Sequence, residues 1–393
     1  MSSSLMSTYQ PLPISFTHGK GAWLFDKKGE AYLDALSGIA VTALGHNHPD
    51  ITATIHDQAQ KLLHTCNLYE IDNQKPLADK LCALTGMDNV FFGNSGAEAN
   101  EAAIKLSRLF GHHRGVAEPK MIVMEKSFHG RTLATLSATG NPKIQAGFEP
   151  LVQGYVRVPY DDIPAVEAAL ARDKDIVALM VEPIAGEGGI QVPSPDYLSE
   201  LRRLADQYHC LLIVDEIQSG MGRTGHFCAY QQTKGVLPDI MTLAKALGNG
   251  IPIGACLARG VASTLFKPGS HGSTFGGNPF ATRVASTVLS VLERDHLITR
   301  AGEMGETLQA LLKKRLADKP HVKAIRGKGL MIGIELDQPC RDLLLIGLEH
   351  RILFSITAEK VIRLLPPYIM TDDEIRTVAE RVIQSIEHYI VRT

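Results

Sequence analysis

Residues 175–220 read DIVALMVEPIAGEGGIQVPSPDYLSELRRLADQYHCLLIVDEIQSG. Two short apolar runs, DIVALMV and LLIVD, bracket the helical PDYLSELRRLADQY. A strand without polar alternation is buried on both faces, and a strand–helix–strand unit closes as a parallel pair with its helix on the sheet. The same order extends towards the N-terminus. NVFFGN (89–94) precedes GAEANEAAIKLSRLF (96–110), and KMIVME (120–125) precedes GRTLATLSAT (130–139). The expected fold class is α/β, a mostly parallel sheet with helices on both faces.

The pattern changes at both ends. GAWLFDKKGEAYLDA (21–35) reads as a hairpin turning at Lys27-Lys28-Gly29. From about residue 280 long amphipathic helices appear, beginning with NPFATRVASTVLSVLERDHL (278–297). GLMIGIEL (329–336), KVIRLLPP (360–367) and a final helix over 372–390 follow, which suggests a smaller α+β lobe.

At 393 residues the chain is long enough for a large core divided between two lobes. Hydrophobic residues make up 45% and charged residues 21%, a globular composition. The net charge is −2 without a clustered Lys/Arg block, which argues against nucleic acid or an anionic membrane as partner. Six cysteines lie scattered without a C-x-x-C pair, as in a reduced cytosolic protein. The opening MSSSLMSTYQPLPISF has no basic region followed by an apolar core, and no apolar run approaches the roughly 20 residues of a membrane helix. The expectation is a cytoplasmic enzyme with no metal, since no H-E-x-x-H or carboxylate–histidine cluster has ligand spacing. GNGIPIG misses the dinucleotide fingerprint, and no Walker motif exists. His46, His48 and Trp23 read as hydrogen-bonding or packing residues.

In open α/β sheets ligands sit beyond the carboxyl ends of the strands, so the chemistry belongs in those loops. After Phe92 the chain turns through Gly93 and Gly96 and a helix begins near Ala97. Ser95 and Glu98 have capping-box spacing, and the same small residues bare N–H groups for a phosphate. Asp215 ends an apolar strand, where a carboxylate needs a cation or donor; it is either a loop cap or the anion facing a heterocycle nitrogen. Lys245 stands alone in DIMTLAKALGNGIPIG (239–254), about one strand–helix–strand excursion later. It is either a snorkelling side chain or a desolvated amine nucleophile. Pyridoxal phosphate requires this combination of anion cradle, carboxylate and amine.

Arg131 in SFHGRT and Arg363 inside VIRLLPP are candidates for carboxylate recognition, with a surface helix-start role open for Arg131. An acceptor such as 2-oxoglutarate has two carboxylates and fits two arginines. Glu187, in the Gly-rich EPIAGEGG, is a turn residue or an anion that parks an arginine between substrates.

With these residues in place the chain resembles the class III, fold-type-I aminotransferases that use pyridoxal phosphate, most closely their acetylornithine branch. The resemblance runs from about Pro13 to the C-terminus. It is carried by LDALSGIAVTALGHNHP, NSGAEANEAAIKLSR, FHGRTLATLSATG, VEPIAGEGGI, DEIQSGMGRTG, LAKALGNGIPIG, HGSTFGGNP and VIRLLPP. It implies a large cofactor domain over 51–285 with a seven-stranded sheet. A small α+β domain would take residues 286–393, joined by the N-terminal segment 1–50.

By the same resemblance, Lys245 would hold the cofactor aldehyde and then carry the transferred proton. Asp215 would keep the ring nitrogen protonated, Gln218 would bond the ring oxygen, and Phe128 and Ile217 would sandwich the ring. Gly96 and Ala97 would bind the phosphate through backbone N–H groups, and Thr274 would reach it from the other subunit of a homodimer. Relatives often carry Thr at the position of Ala97, so that hydroxyl is missing here. Ser273 and Arg131 would contact substrate, with Arg131 on a carboxylate. Arg363 would take glutamate's second carboxylate, with Glu187 neutralising it when the amino donor is bound.

The implied reaction moves the δ-amino group of N2-acetylornithine to 2-oxoglutarate, giving the semialdehyde and glutamate, a step of arginine biosynthesis. Succinylornithine, ornithine or 4-aminobutyrate are alternative donors. ILFSITAEK (352–360), near the substrate entrance in this family, departs from the expected pattern and leaves donor preference open. A non-catalytic binding protein on the same scaffold predicts loss of Lys245 or Asp215, and both are present.

Overall fold

A computed structural model describes residues 4–392. The N-terminal strands β1 (Phe16–Lys20), β2 (Trp23–Asp26) and β3 (Ala31–Asp34) form an antiparallel meander. Its β2–β3 hairpin turns at residues 27–30, where Gly29 takes a φ of 80°.

The central sheet is built from β4 (Asn89–Gly93), β5 (Lys120–Met124), β6 (Tyr155–Val158), β7 (Ile176–Val181), β8 (Leu211–Asp215), β9 (Ile240–Leu243) and β10 (Gly254–Ala258). Its order is β4-β10-β9-β8-β7-β5-β6. The pairings among β5 to β9 are parallel, and β10 runs antiparallel to both β4 and β9. Every residue of β7 and β8 is buried, as continuous apolar strands require. The helix Tyr197–Gln207 makes the β7–β8 crossover and buries Leu201 and Leu204 completely.

The β8–β9 connection differs from the expected excursion. It contains a single 3₁₀ turn, Ala229–Gln232, and no α-helix. The physical reason is GMGRTG: Gly222 and Gly225 take φ values of 94° and 88°, outside the helical region. A buried Glu216 replaces the helix as organiser, accepting hydrogen bonds from Tyr230 N–H and Ser219 Oγ–H.

The C-terminal sheet is fully antiparallel. β11 (Val322–Lys328), β12 (Met331–Leu336), β14 (Ser355–Thr357) and β15 (Val361–Leu364) lie in the order β11-β12-β15-β14. Between them in sequence, β13 (Ile352–Leu353) pairs in parallel with β3 and ties the N-terminal meander to the C-terminal chain. The run 278–297 divides into helices Pro279–Arg294 and Leu297–Leu316 at His296, whose φ is 50°. The last helix spans Asp372–Arg392.

The carboxyl ends of β4, β5, β7, β8 and β9 meet at one sheet edge. The reversed strand β10 begins there at Gly254, where a Cβ would lie 2.1 Å from the Ser95 carbonyl oxygen. A side chain at 254 and the Ser95 turn cannot share that space.

Candidate active site

At this edge a cavity of about 440 Å³ opens. Gly96, Ala97, Phe128, Arg131, Asp215, Ile217, Gln218 and Lys245 all line it. These residues come from the loops after β4, β5, β8 and β9, so the sheet gathers side chains spread over 150 positions of sequence.

The corner after β4 satisfies both readings of its sequence. Ser95 Oγ accepts the Glu98 N–H at 3.1 Å, and the Glu98 carboxylate reaches back to the Asn94 N–H at 2.8 Å. That cap leaves the N–H groups of Gly96 and Ala97 without a hydrogen bond among the described residues. They open the helix Gly96–His113, whose dipole favours an anion at this position. A Cβ on Gly96 would meet Ile217 Cδ1 at 2.7 Å and close the cradle against the cavity wall.

Asp215 is buried and held from four sides. Asn100 Nδ2 donates to Oδ2 at 2.8 Å, and the His129 Nδ1 lies 2.8 Å from the same oxygen. Oδ1 accepts the Ile217 N–H at 3.1 Å and the Thr242 hydroxyl at 3.4 Å. The single Thr242 hydroxyl proton is shared with Asn100 Oδ1, the nearer acceptor at 2.8 Å, and Asn100 Nδ2 also donates to the His129 carbonyl. The carboxylate is thereby fixed in orientation towards the cavity.

Lys245 follows β9 on a tight 3₁₀ turn, Lys245–Leu247, with a φ of 48°. Its Nζ makes no hydrogen bond or ion pair among the described residues. Burial, reinforced by the nearby Arg363 charge, pulls its pKa down to about 8. That leaves about a tenth of the amine neutral at pH 7, far more than an ordinary lysine, which is the property an amine nucleophile needs.

Arg363 is 2% exposed and stands on β15. Its Nη1 donates to Glu187 Oε1 at 2.5 Å and to Gln218 Oε1 at 3.3 Å, and its Nε donates to Ser355 Oγ at 3.0 Å. Burial would raise the Glu187 carboxyl, yet the Arg363 guanidinium holds it below its ordinary range. Arg131 lies at the exposed rim with its guanidinium 5.9 Å from the Phe128 ring centre.

Four expected site residues, Glu187, Ser273, Thr274 and Arg363, do not line this cavity; Arg363 borders it through Gln218, and Thr274 was expected to serve the other subunit's site. The Ser273 hydroxyl accepts from Asn94 Nδ2 and Gly276 N–H, and Thr274 is exposed.

Sequence reasoning missed His129, Asn100, Thr242 and Glu182. Glu182 is buried in the cavity wall and accepts the Phe128 N–H at 2.9 Å and the Gly186 N–H at 3.1 Å. It joins the two loops that carry Phe128 and Glu187, and burial lifts its carboxyl to about 7. All four lie in or beside the segments already singled out, but nothing local distinguishes them from ordinary polar residues.

Comparison with known proteins identifies the family. The class-III aminotransferase family model matches residues 5–386. The chain is 52% identical over 388 residues to the acetylornithine aminotransferase of Nitrosomonas europaea, covering 99% of this chain and 98% of that one. It is 46% identical to acetylornithine aminotransferase 1 of Bordetella pertussis over 100% of both chains. The ornithine aminotransferase of Toxoplasma gondii, crystallised with oxidised glutathione and partly occupied by PLP at its active site, is similar with a TM-score of 0.94. Its identity is 36%, over 98% of this chain and 92% of that one. With the family model spanning nearly every residue and the half-buried lysine and buried aspartate lining one cavity, the chain belongs to the class-III aminotransferases, a family of pyridoxal-phosphate enzymes.

Proposed function

We propose that this enzyme transfers the δ-amino group of N2-acetyl-L-ornithine to 2-oxoglutarate, yielding N-acetylglutamate 5-semialdehyde and L-glutamate in arginine biosynthesis. The observation that carries the chemistry is the unpaired Lys245 amine in one cavity with the four-fold-held Asp215 carboxylate. The donor rests on full-length similarity to acetylornithine aminotransferases.

The cavity residues fit pyridoxal phosphate. A bare helix N-terminus at Gly96 and Ala97 suits its phosphate, and a Cβ at Gly96 would spoil that cradle. When bound, the cofactor supplies an aldehyde for amines and a protonated ring that withdraws electrons from the carbon bearing the transferred nitrogen. Asp215 would hold the proton at the ring nitrogen, and the Asn100, His129 and Thr242 contacts keep that carboxylate aimed. Phe128, Ile217 and Gln218 line the same cavity; the first two would flank the ring and Gln218 would donate to its phenolic oxygen. With the cofactor bound, Lys245 would be the amine facing its aldehyde and the general base beside the substrate carbon that gives up and regains a proton.

Arg131 takes a substrate carboxylate at the rim. Arg363 takes the second carboxylate of 2-oxoglutarate or glutamate, and Glu187 neutralises it while acetylornithine occupies the site. Thr274 and Phe275, exposed beyond the cavity, belong to a homodimer contact in which Thr274 reaches the other subunit's phosphate. Leu68 and Tyr69, also exposed, follow Asn67, whose amide donates to the Ser273 and Gly276 carbonyls.

The deciding experiment is a donor panel with 2-oxoglutarate. Acetylornithine should have the highest kcat/KM among acetylornithine, succinylornithine, ornithine and 4-aminobutyrate. A higher value for another ω-amino acid replaces the donor and keeps the chemistry.

A further inference from the structure

Arg363 and Glu187 are both held by one short strand. In the β14–β15 pair Ser355 stands directly opposite Arg363, and its hydroxyl accepts from Nε at 3.0 Å. Two residues along, on the same face of β14, the Thr357 hydroxyl donates to the Glu187 backbone carbonyl at 2.5 Å. Ser355 therefore grips the arginine and Thr357 grips the chain that carries its counter-ion.

The grip decides which edge of the guanidinium is free. A guanidinium can meet a carboxylate through its Nε–Nη edge or through its Nη1–Nη2 edge. Here Nε is occupied by Ser355, and Nη1 faces Glu187 and the cavity residue Gln218. Nη2 has no hydrogen bond among the described residues. The Arg363 side chain is 2% exposed and the Glu187 side chain 35%, so the carboxylate has room to leave and the guanidinium stays.

We propose that Ser355 is a positioning residue for acceptor recognition: by occupying Nε of Arg363 it presents the Nη1–Nη2 edge to the distal carboxylate of a dicarboxylic substrate. This rests on the assignment of Arg363 and Glu187 to that carboxylate. Loss of the Ser355 hydroxyl frees the guanidinium to rotate about its side chain and pair with Glu187 through two nitrogens. The closed pair then becomes more stable, and the acceptor must compete against it. The amino donor, bound while Arg363 and Glu187 are paired, does not meet this cost.

The test uses holoenzyme carrying Ser355→Ala, with Ser355→Thr and Ser355→Val as a matched pair of equal shape with and without the hydroxyl. The two half-reactions are followed separately by single-turnover absorbance, and glutarate binding by calorimetry. Ser355→Ala and Ser355→Val should raise the KM for 2-oxoglutarate and the Kd for glutarate by about tenfold. The acetylornithine half-reaction should stay within about twofold of wild type, and Ser355→Thr should restore both constants. Unchanged glutarate affinity in both variants lacking the hydroxyl overturns the proposal, and so does an equal loss in both half-reactions. Arg363→Lys and Glu187→Gln separate the two levels. If neither alters the KM for 2-oxoglutarate, the underlying carboxylate assignment fails. If both do and Ser355→Val does not, only the role of Ser355 fails.

Discussion

His129 Nδ1 and Asp215 Oδ2 lie 2.8 Å apart in a pocket where both residues are buried, and Asn100 Nδ2 meets the same oxygen. The imidazole follows β5, the carboxylate ends β8 and the amide rides on the helix after β4. Three separate connections thus converge on one oxygen atom. His129→Ala should lower kcat by about tenfold or more through loss of that hydrogen bond. The visible absorbance of the bound cofactor should shift in the same variant, and steady-state kinetics with a spectrum of the holoenzyme check both.

Lys245 has a pKa pulled down to about 8 by burial, then by the Arg363 charge. Lys245→Met should abolish turnover. The cofactor-free variant should also be more stable than wild type at pH 7, by up to about 3 kcal/mol. The sign follows from the depressed pKa of a base: the fold resists the ammonium form, so the penalty is full below about pH 8. It fades as pH rises to the unfolded value near 10.5. Chemical denaturation of both cofactor-free proteins at pH 7 and pH 10 measures the difference.

Glu182 behaves oppositely, with burial lifting its carboxyl to about 7. The proton binds the folded state more tightly, so this group's stability contribution is complete below about pH 4.5 and is lost as pH rises through 7. The advantage of wild type over Glu182→Gln should therefore shrink across that window in thermal melts. Glutamine offers one acceptor oxygen where Glu182 uses two, on Phe128 and Gly186. One of those loops loses its anchor, and kcat should fall by about tenfold at pH 8.

Gly96→Ala tests the cradle without touching an ionisable group. The added methyl would stand 2.7 Å from Ile217 Cδ1 and 2.9 Å from its Cγ2, so the cavity wall must shift. Pyridoxal phosphate should bind at least about tenfold more weakly while far-ultraviolet circular dichroism is retained. Fluorescence titration of the cofactor-free protein reads the affinity.

The strands of the central sheet were legible in the sequence because burial on both faces writes itself locally, as in IVALMV and LLIVD. The same locality exposed Asp215 and Lys245: a charge at the end of an apolar run stands out against its neighbours. Arg363 was visible for that reason too, and its neighbour in space, Glu187, as either a turn residue or the anion that parks an arginine.

Strand order was decided by tertiary structure. β10 runs backwards between β4 and β9, and Gly254 at its start passes under the Ser95 carbonyl, a contact between residues far apart in the chain. The glycine-rich loop after β8 displaced an expected helix through backbone dihedrals that composition alone does not assign. His129 and Asn100 look ordinary in their own segments, being 86 and 115 residues from the carboxylate they hold. Ser355 is likewise unremarkable until β14 pairs with β15 and sets it opposite Arg363. Hydrophobic periodicity is a property of neighbours along the chain, so sequence alone fixed which segments are buried and which charges lie among them. A directional hydrogen bond needs two groups within about 3 Å, and only the folded arrangement of strands determines which distant residues meet that condition.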